Sequence, residues 1–474
     1  MTDNEKKPNS KINPKKTPIP EQSANERRQN FDEVAIGYDS EMAKNESLRC
    51  LQCKKPTCIA GCPVGIDIPE FLKFAAEGDF ESGYKSLKKY NALPAVCGRV
   101  CPQENQCEKV CVLAKKFEPV GIGRVERYLA DWYLKKHDMC PRGENMISRD
   151  DKIAVVGCGP ASITCAGELA QAGFPVTVYE ALHELGGVMV YGIPEFRLPN
   201  AIVRAELNMI ADWGVNFEPN VLVGNTITLK DIFGMGFKSV FLGTGAGLPY
   251  FLNIPGEYGL GIYSSNEYLT RINLMRANRF PEYDTPVLKA RRVTVIGGGN
   301  TAMDSARISI RLKDMENVTI AYRRSRVEMP ARAEEAVHAE EEGIDLMTLV
   351  APKRYILDDD HRVCAMELIK MQLGEPDDRG RRRPFPIEGS EFIHETDLVV
   401  VAVGQGPNPL LMRANPEIET SKWGTIIVNE ETMMTSMKGV FAGGDIVTGG
   451  ATIISAMGAG KTAAAAMRDF VDNN

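Results

Sequence analysis

The sequence predicts an α/β protein with a helical N-terminal segment, on three observations. From Phe31 to about Ser148 apolar residues recur at helical spacing without a convincing strand, as in Ile68-Pro-Glu-Phe-Leu-Lys-Phe-Ala-Ala and Glu81-Ser-Gly-Tyr-Lys-Ser-Leu-Lys-Lys-Tyr. At Lys152 the character changes: residues 153–156 are a short apolar run, a glycine turn opens a small-residue helix, and 176–180 form a second strand, a βαβ unit. A second such unit begins at Arg292, with a strand at 293–296, a glycine turn, a helix to about Leu312 and a strand at 318–322.

The 474 residues allow two to four domains at roughly 100–200 residues each. Two further strands ending in glycine turns, 240–247 and 398–405, flank the second βαβ unit, so the simplest arrangement inserts one α/β domain into another. The expected division is an N-terminal arm at 1–30, a helical domain at 31–150, one nucleotide-binding domain at 151–247 and 405–474, and a second at 248–404. Such a join would turn two nucleotide sites toward each other. The arm is polar and rich in Lys, Pro and Asn, as a flexible arm or surface strap would be.

A formal charge of −7 argues against nucleic acid as the main ligand. The longest apolar runs, such as 397–403, are too short to cross a bilayer, and the first residues carry no apolar signal core. A cytoplasmic chain is expected. Its twelve cysteines are far from evenly spread: Cys50, Cys53, Cys58, Cys62, Cys97, Cys101, Cys107 and Cys111 crowd the first quarter. In a reducing compartment that pattern reads as metal ligation. Cys50-x2-Cys53-x4-Cys58-x3-Cys62-Pro63 is similar to the bacterial ferredoxin run, and Cys97-x3-Cys101-x5-Cys107-x3-Cys111 can partner it. Two [4Fe–4S] clusters need eight ligands, and eight cysteines stand ready. A pair of structural zinc sites, each held by four cysteines, is the alternative, which these mixed spacings fit poorly. Cys140, Cys158, Cys165 and Cys364 read as core or turn residues.

The first glycine turn, Gly157-Cys-Gly159-Pro160-Ala161-Ser162, suits a dinucleotide: Gly157 for the turn and Gly159 for approach of a pyrophosphate at a helix N-terminus. Ser162 stands where a third glycine is usual, and Glu180 ends the second strand at the distance to take ribose hydroxyls. The second turn, Gly297-Gly-Gly299-Asn300-Thr301-Ala302, is followed by Tyr322-Arg323-Arg324 with no carboxylate. Two guanidiniums there favour a 2′-phosphate, hence NADP(H) over NAD(H), against a merely solvated basic turn. Gly444-Asp445, at the end of an apolar strand, could meet a flavin's sugar chain, and Gly245 sits in the glycine run at 243–247.

Arg49-Cys-Leu-Gln-Cys53, Cys97-Gly-Arg-Val-Cys-Pro-Gln103, residues 191–199, Gly297-Gly-Gly-Asn-Thr-Ala-Met-Asp304 and Phe441-Ala-Gly-Gly-Asp445 together resemble the glutamate synthase small-subunit family, from about Phe31 to Phe470. Within it, residues 18–22, 270–275 and 280–286 lean toward the large subunits of NADH-dependent reduced ferredoxin:NADP+ oxidoreductases, which are electron-bifurcating transhydrogenases. The resemblance implies a helical iron–sulfur domain followed by two Rossmann-like domains, the NADP domain inserted into the FAD domain. It implies that Cys50, Cys53, Cys58 and Cys111 hold one cluster, and Cys62, Cys101 and Cys107 the other, with Glu126 as the remaining ligand where some relatives have Gln. That set competes with the count that would use Cys97.

No catalytic triad or HExxH pattern is present, and the five histidines are dispersed, so the chemistry is expected to lie with the cofactors. A hydride exchanged between NADP(H) and FAD would leave as single electrons through the clusters to a partner. Gly186, Gly187 and residues 191–199 are expected at the flavin, with Arg197 as the candidate cation near its ring, unless it pairs with Glu195 or a carbonyl. Arg381-Arg-Arg383 follows Glu375-Pro-Asp-Asp378 and reads as a self-compensating hairpin and not as a ferredoxin dock. Three roles are open: the transhydrogenase subunit with a smaller flavin-containing partner and ferredoxin; a glutamate synthase subunit feeding an amidotransferase large subunit; or, if Ser162 marks a degraded flavin site, a non-catalytic electron-wire scaffold.

Overall fold

The computed structural model describes residues 12–377 and 380–474. Residues 1–11 of the expected arm and Asp378 of the acidic turn lie outside the described residues. The chain divides into two compact units: residues up to Glu21 with Ala35–Pro141, and Gln22–Val34 with Arg142–Asn474. The segment around Phe31 therefore belongs to the second unit, not to the helical domain expected to begin there.

The first unit is helical among its described residues. Helices Ser40–Ser47, Ile68–Glu77 and Phe80–Lys88 start on Asp39, Asp67 and Asp79, whose carboxylates accept from the third following backbone N–H and satisfy one free donor each. Helix Ile122–Lys136 is the axis of the packing, and Phe71, Leu72, Leu87, Leu93 and Leu129 bury the core. Helix Pro94–Val100 lies on that axis at the closest approach: a Cβ on Gly98 would sit 2.6 Å from Arg127 Cα. Residues 12–21 are a strap. Lys16 N donates to Glu118 Oε2 and Thr17 N to Glu46 Oε2, both at 2.7 Å.

The second unit holds two parallel five-stranded sheets. In the first the spatial order is Val440–Ala442, Phe237–Leu242, Lys152–Val156, Val176–Tyr179, Val215–Glu218. In the other it is Ile262–Ser264, Leu398–Val401, Arg292–Ile296, Asn317–Tyr322, Asp345–Thr348. The leading strand of each βαβ unit is thus central, with the strand order reversing beside it, where nucleotides bind in such sheets. Strands 237–242 and 440–442 pair with each other, so the chain leaves the first sheet, builds the second, and returns. An antiparallel ribbon of Val350–Leu357, Val363–Pro376, Arg382–Pro386 and Phe392–Glu395 precedes the last strand of the second sheet. No helix among the described residues is long and apolar enough to cross a membrane.

Candidate functional site: cysteine pockets and two glycine loops

Cys50, Cys53, Cys58 and Cys111 line one cavity of about 380 Å³, counting the solvent at its mouth, with Leu51, Pro56, Ile68 and Leu72 among its walls. Two devices aim these loops. Arg49 is buried and donates to Pro119 O at 3.0 Å and Glu118 O at 2.6 Å while pairing with Glu46, which fixes Cys50. Thr57 Oγ1 donates to Val110 O at 2.5 Å, which ties the Cys53–Cys58 loop to Cys111. As free thiols, Cys50 and Cys58 are raised by burial and by neighbouring cysteines, Cys58 to about 12. Four thiolates can be held here together only around a cationic centre, so the pocket fits a cluster.

Cys62, Cys97, Cys101, Cys107 and Glu126 form the second group. Three of its thiols are also raised: Cys62 and Cys107 by burial first, Cys101 by its bond to Cys97 and then burial. Glu126 acts electrostatically on Cys62, Cys101 and Cys107 alike. The buried Asn91 holds both competing ligands: its Nδ2 donates to Glu126 Oε1 at 2.8 Å, and its Oδ1 accepts from Cys97 Sγ at 3.7 Å. Asn91 carried no motif that would have singled it out.

In the first glycine loop, Gly157 has φ +90° and a Cβ there would lie 2.7 Å from Gly243 O, so only glycine fits the turn. Gly159 begins helix Pro160–Gln171 with only one protein atom, 4.0 Å away, near its absent side chain, leaving room for a ligand against the backbone. Ala161 and Ser162 are buried in that helix; Ser162 faces Gly243, where a Cβ would stand 2.1 Å from its Oγ. The serine is thus accommodated by a glycine on the neighbouring strand end. Glu180 receives Cys158 N–H at 2.7 Å and Leu182 N–H at 2.8 Å, and burial raises its carboxyl. Gly186 and Gly187 take φ +118° and +56°, and Gly187 packs on Gly159, where a Cβ would meet its Cα at 2.9 Å. Gly245 and Gly444 also have positive φ; Gly245 has open space beside it. Asp445, raised by burial, accepts from Ala451 N–H at 2.9 Å.

The second loop repeats the plan. Gly297 makes the turn against Ala402 O, and Gly299 precedes helix Asn300–Ser309 with one protein atom, Pro330 Cγ at 3.9 Å, near its absent side chain. Asn300 Oδ1 accepts from Arg332 N at 2.9 Å, Thr301 O accepts from Ser305 Oγ at 2.8 Å, and Ala302 is buried. Arg323 is exposed at the end of its strand, whereas Arg324 is buried.

Arg197 pairs with two carboxylates, neither of them Glu195. Its Nη1 meets both oxygens of Asp304, at 2.7 and 2.8 Å, and its Nε meets Glu335 Oε1 at 2.9 Å. Two buried carboxylates offset this guanidinium, and they come from the second α/β half. Asp304 lies in the quoted Gly-Gly-Gly-Asn-Thr-Ala-Met-Asp run, but nothing in the sequence pointed from it to Arg197.

Sheet order, glycine loops and cysteine pockets define a class: a two-dinucleotide oxidoreductase with an iron–sulfur module. Comparison with known proteins agrees. Residues 27–138 match the dihydropyrimidine dehydrogenase domain II, 4Fe-4S cluster family, and residues 151–468 match the pyridine nucleotide-disulphide oxidoreductases. The NADPH glutamate synthase small chain of Azospirillum brasilense is 37% identical over 93% of this chain and 92% of its own; that of Escherichia coli is 34% identical over 94% and 95%. The putative oxidoreductase UacF of Escherichia coli is 36% identical over 95% of this chain and 71% of its own. The Mycobacterium tuberculosis FprA–NADPH complex shares the fold, with 20% identity, a TM-score of 0.58 and coverage of 69% of this chain and 85% of its own. The chain belongs to the pyridine nucleotide-disulphide oxidoreductases, in the branch of the glutamate synthase small subunits. It is an NADP-linked oxidoreductase whose cofactors are FAD and 4Fe–4S clusters.

Proposed function

We propose that this chain is the NADPH-oxidising subunit of a two-subunit redox enzyme, an electron-bifurcating NADH-dependent ferredoxin:NADP+ transhydrogenase. The observation that carries electron delivery to a partner is the pocket of Cys50, Cys53, Cys58 and Cys111, in which none of the four cysteines is fully buried. Flavin bound in such a fold joins two-electron hydride chemistry to single-electron transfer, and clusters carry the single electrons. The chain's own residues bind and orient. Gly157 and Gly159 admit one pyrophosphate and Gly297 and Gly299 the other, while Glu180 keeps lone pairs for ribose hydroxyls. Cys62, Cys101, Cys107 and Glu126 are the proposed ligands of the second cluster.

Residues 18–22, 270–275 and 280–286 support the transhydrogenase reading. The second reading, a glutamate synthase small subunit that feeds an amidotransferase large subunit, is favoured by the near-complete mutual coverage with two glutamate synthase small chains. The scaffold reading rests on Ser162, and the room that Gly243 leaves for that side chain counts against it. Anaerobic purification from the native host, with mass spectrometry of what accompanies the chain, tests the proposal. A small flavin and iron–sulfur subunit is expected, with NADPH oxidation that requires NAD+ and ferredoxin together. A large amidotransferase chain in its place would overturn the proposal in favour of the second reading.

A further inference from the structure

Arg323 and Arg324 are adjacent in sequence, but the structure gives them different work. Arg324 is buried: its Nε donates to Arg382 O at 2.8 Å and its Nη2 meets Asp377 Oδ2 at 3.1 Å. It bolts the turn after strand Asn317–Tyr322 onto the hairpin formed by strands Val363–Pro376 and Arg382–Pro386. Asp377 then organises the hairpin's near edge. Its Oδ1 accepts from Arg381 N at 3.0 Å, its own N–H donates to Arg381 O at 2.7 Å, and its Oδ2 lies 4.0 Å from Arg381 Nε. A second bolt comes from the other side: Arg382 Nε meets Glu328 Oε1 at 2.6 Å, and Glu328 Oε2 accepts from Ser325 N at 3.2 Å. Held this way, the half-buried Arg381 is tied through Asp377 and Arg324 to the turn that carries the exposed Arg323, beyond the strand where the adenosine ribose is read in such folds. The Arg323 guanidinium is drawn below its ordinary range by partial desolvation first, then by the like charges of Arg324 and Arg381.

Guanidiniums that converge from separate elements repel one another until an anion enters between them. A phosphate monoester brings a charge of about −1.5 to −2 and three acceptor oxygens, which two guanidiniums satisfy better than one. A ribose hydroxyl offers neither. We propose that Arg381 shares with Arg323 the recognition of the 2′-phosphate of NADP(H), the hairpin being a specificity element and Asp377 the residue that positions Arg381. This deepens the NADP(H) reading of the second loop and rests on it. The run Arg381-Arg-Arg383 is then no merely solvated turn. One of its members neutralises Glu328, and another faces the nucleotide.

The test is calorimetric titration of the holoprotein with adenosine 2′,5′-bisphosphate and, separately, with AMP. Wild type should bind the bisphosphate much the more tightly. Arg381→Ala should lower bisphosphate affinity about tenfold, the loss of a charged hydrogen-bond donor, with AMP unchanged. Arg381→Lys should restore part of the difference, and Asp377→Ala, which keeps every guanidinium, should narrow the bisphosphate-to-AMP ratio by a smaller factor. If Arg381→Ala leaves that ratio at the wild-type value while Arg323→Ala collapses it, the hairpin has no part in recognition. Equal losses for both ligands would overturn it too. A wild type that binds the two alike would overturn the NADP(H) reading itself, and this inference with it.

Discussion

Glu126 and Cys97 answer to opposite ends of the same Asn91 amide. Cys97 is fully buried with its Sγ turned to Asn91 Oδ1, whereas Glu126 accepts from the Asn91 amide and acts electrostatically on Cys62, Cys101 and Cys107 alike. A carboxylate is a harder donor than a thiolate and alters the cluster it holds. Cys97→Ser should therefore keep both clusters. Glu126→Ala should change the electron paramagnetic resonance of one cluster and leave the other's spectrum intact. Iron lost on Cys97→Ser, with an unchanged spectrum for Glu126→Ala, would make Cys97 the ligand. Cys58→Ser serves as the calibration: it should remove about half the iron and sulfide, because one of two four-iron clusters is lost.

Among elements, the decisive approach is helix Ile453–Asp472 on helix Pro160–Gln171. A Cβ on Gly460 would sit 2.1 Å from Ala161 O, so the two helices touch backbone to backbone beside the glycine loop. Gly460→Ala must push them apart; a cost of roughly 1–3 kcal/mol is expected, with a lower melting temperature and weaker flavin retention, read at the flavin absorbance band. Ser162→Gly, which removes a buried hydroxyl from the helix and its bond to Gly243 O, should cost only about 0.5–1 kcal/mol and leave flavin retention unchanged. A normal melting curve for Gly460→Ala would refute the tight approach. These contacts also mark what sequence could and could not tell. Both βαβ units, their glycine turns and the cysteine runs are local patterns, so they were legible residue by residue. The Ser162–Gly243 contact spans 81 residues and the Arg197–Asp304 pair 107, and no periodicity links such positions. The same blindness hid the attachment of residues 22–34: Val34 N donates to Phe196 O at 2.9 Å, and Phe31 packs on the Phe196 ring, 6.3 Å between centroids.

At the scale of the whole second unit, its two α/β halves and the 22–34 segment meet in one buried ionic cluster. Glu342 is fully buried and receives Arg27 at 3.0 Å, Arg307 at 2.7 Å and Arg311 at 2.6 Å; Phe196 lies beneath the last two guanidiniums, 4.8 and 4.0 Å from their centres. Glu335 joins Arg197 to Arg307. Burial alone would raise both glutamates, but the surrounding guanidiniums win and hold each at about 2. Asp304 goes the other way, raised to about 6 because burial outweighs Arg197 there. The signs follow by linkage. A depressed carboxylate contributes stability that is complete above its unfolded value, about 4.3 for Glu, and is lost as pH falls through its folded value. The raised aspartate contributes in the opposite sense, and its share is lost as pH rises through 6. Urea unfolding should therefore show stability creeping upward from pH 7 toward 5 and falling steeply between about 4.5 and 2. Glu342→Gln leaves three buried guanidiniums short of one charge and should cost about 3–5 kcal/mol at neutral pH. Because the titrating group is gone, the same variant should also flatten the acid limb. If Glu342→Gln is destabilised but keeps a wild-type acid limb, the cluster is packing and not charge, and the two halves are held together by something else.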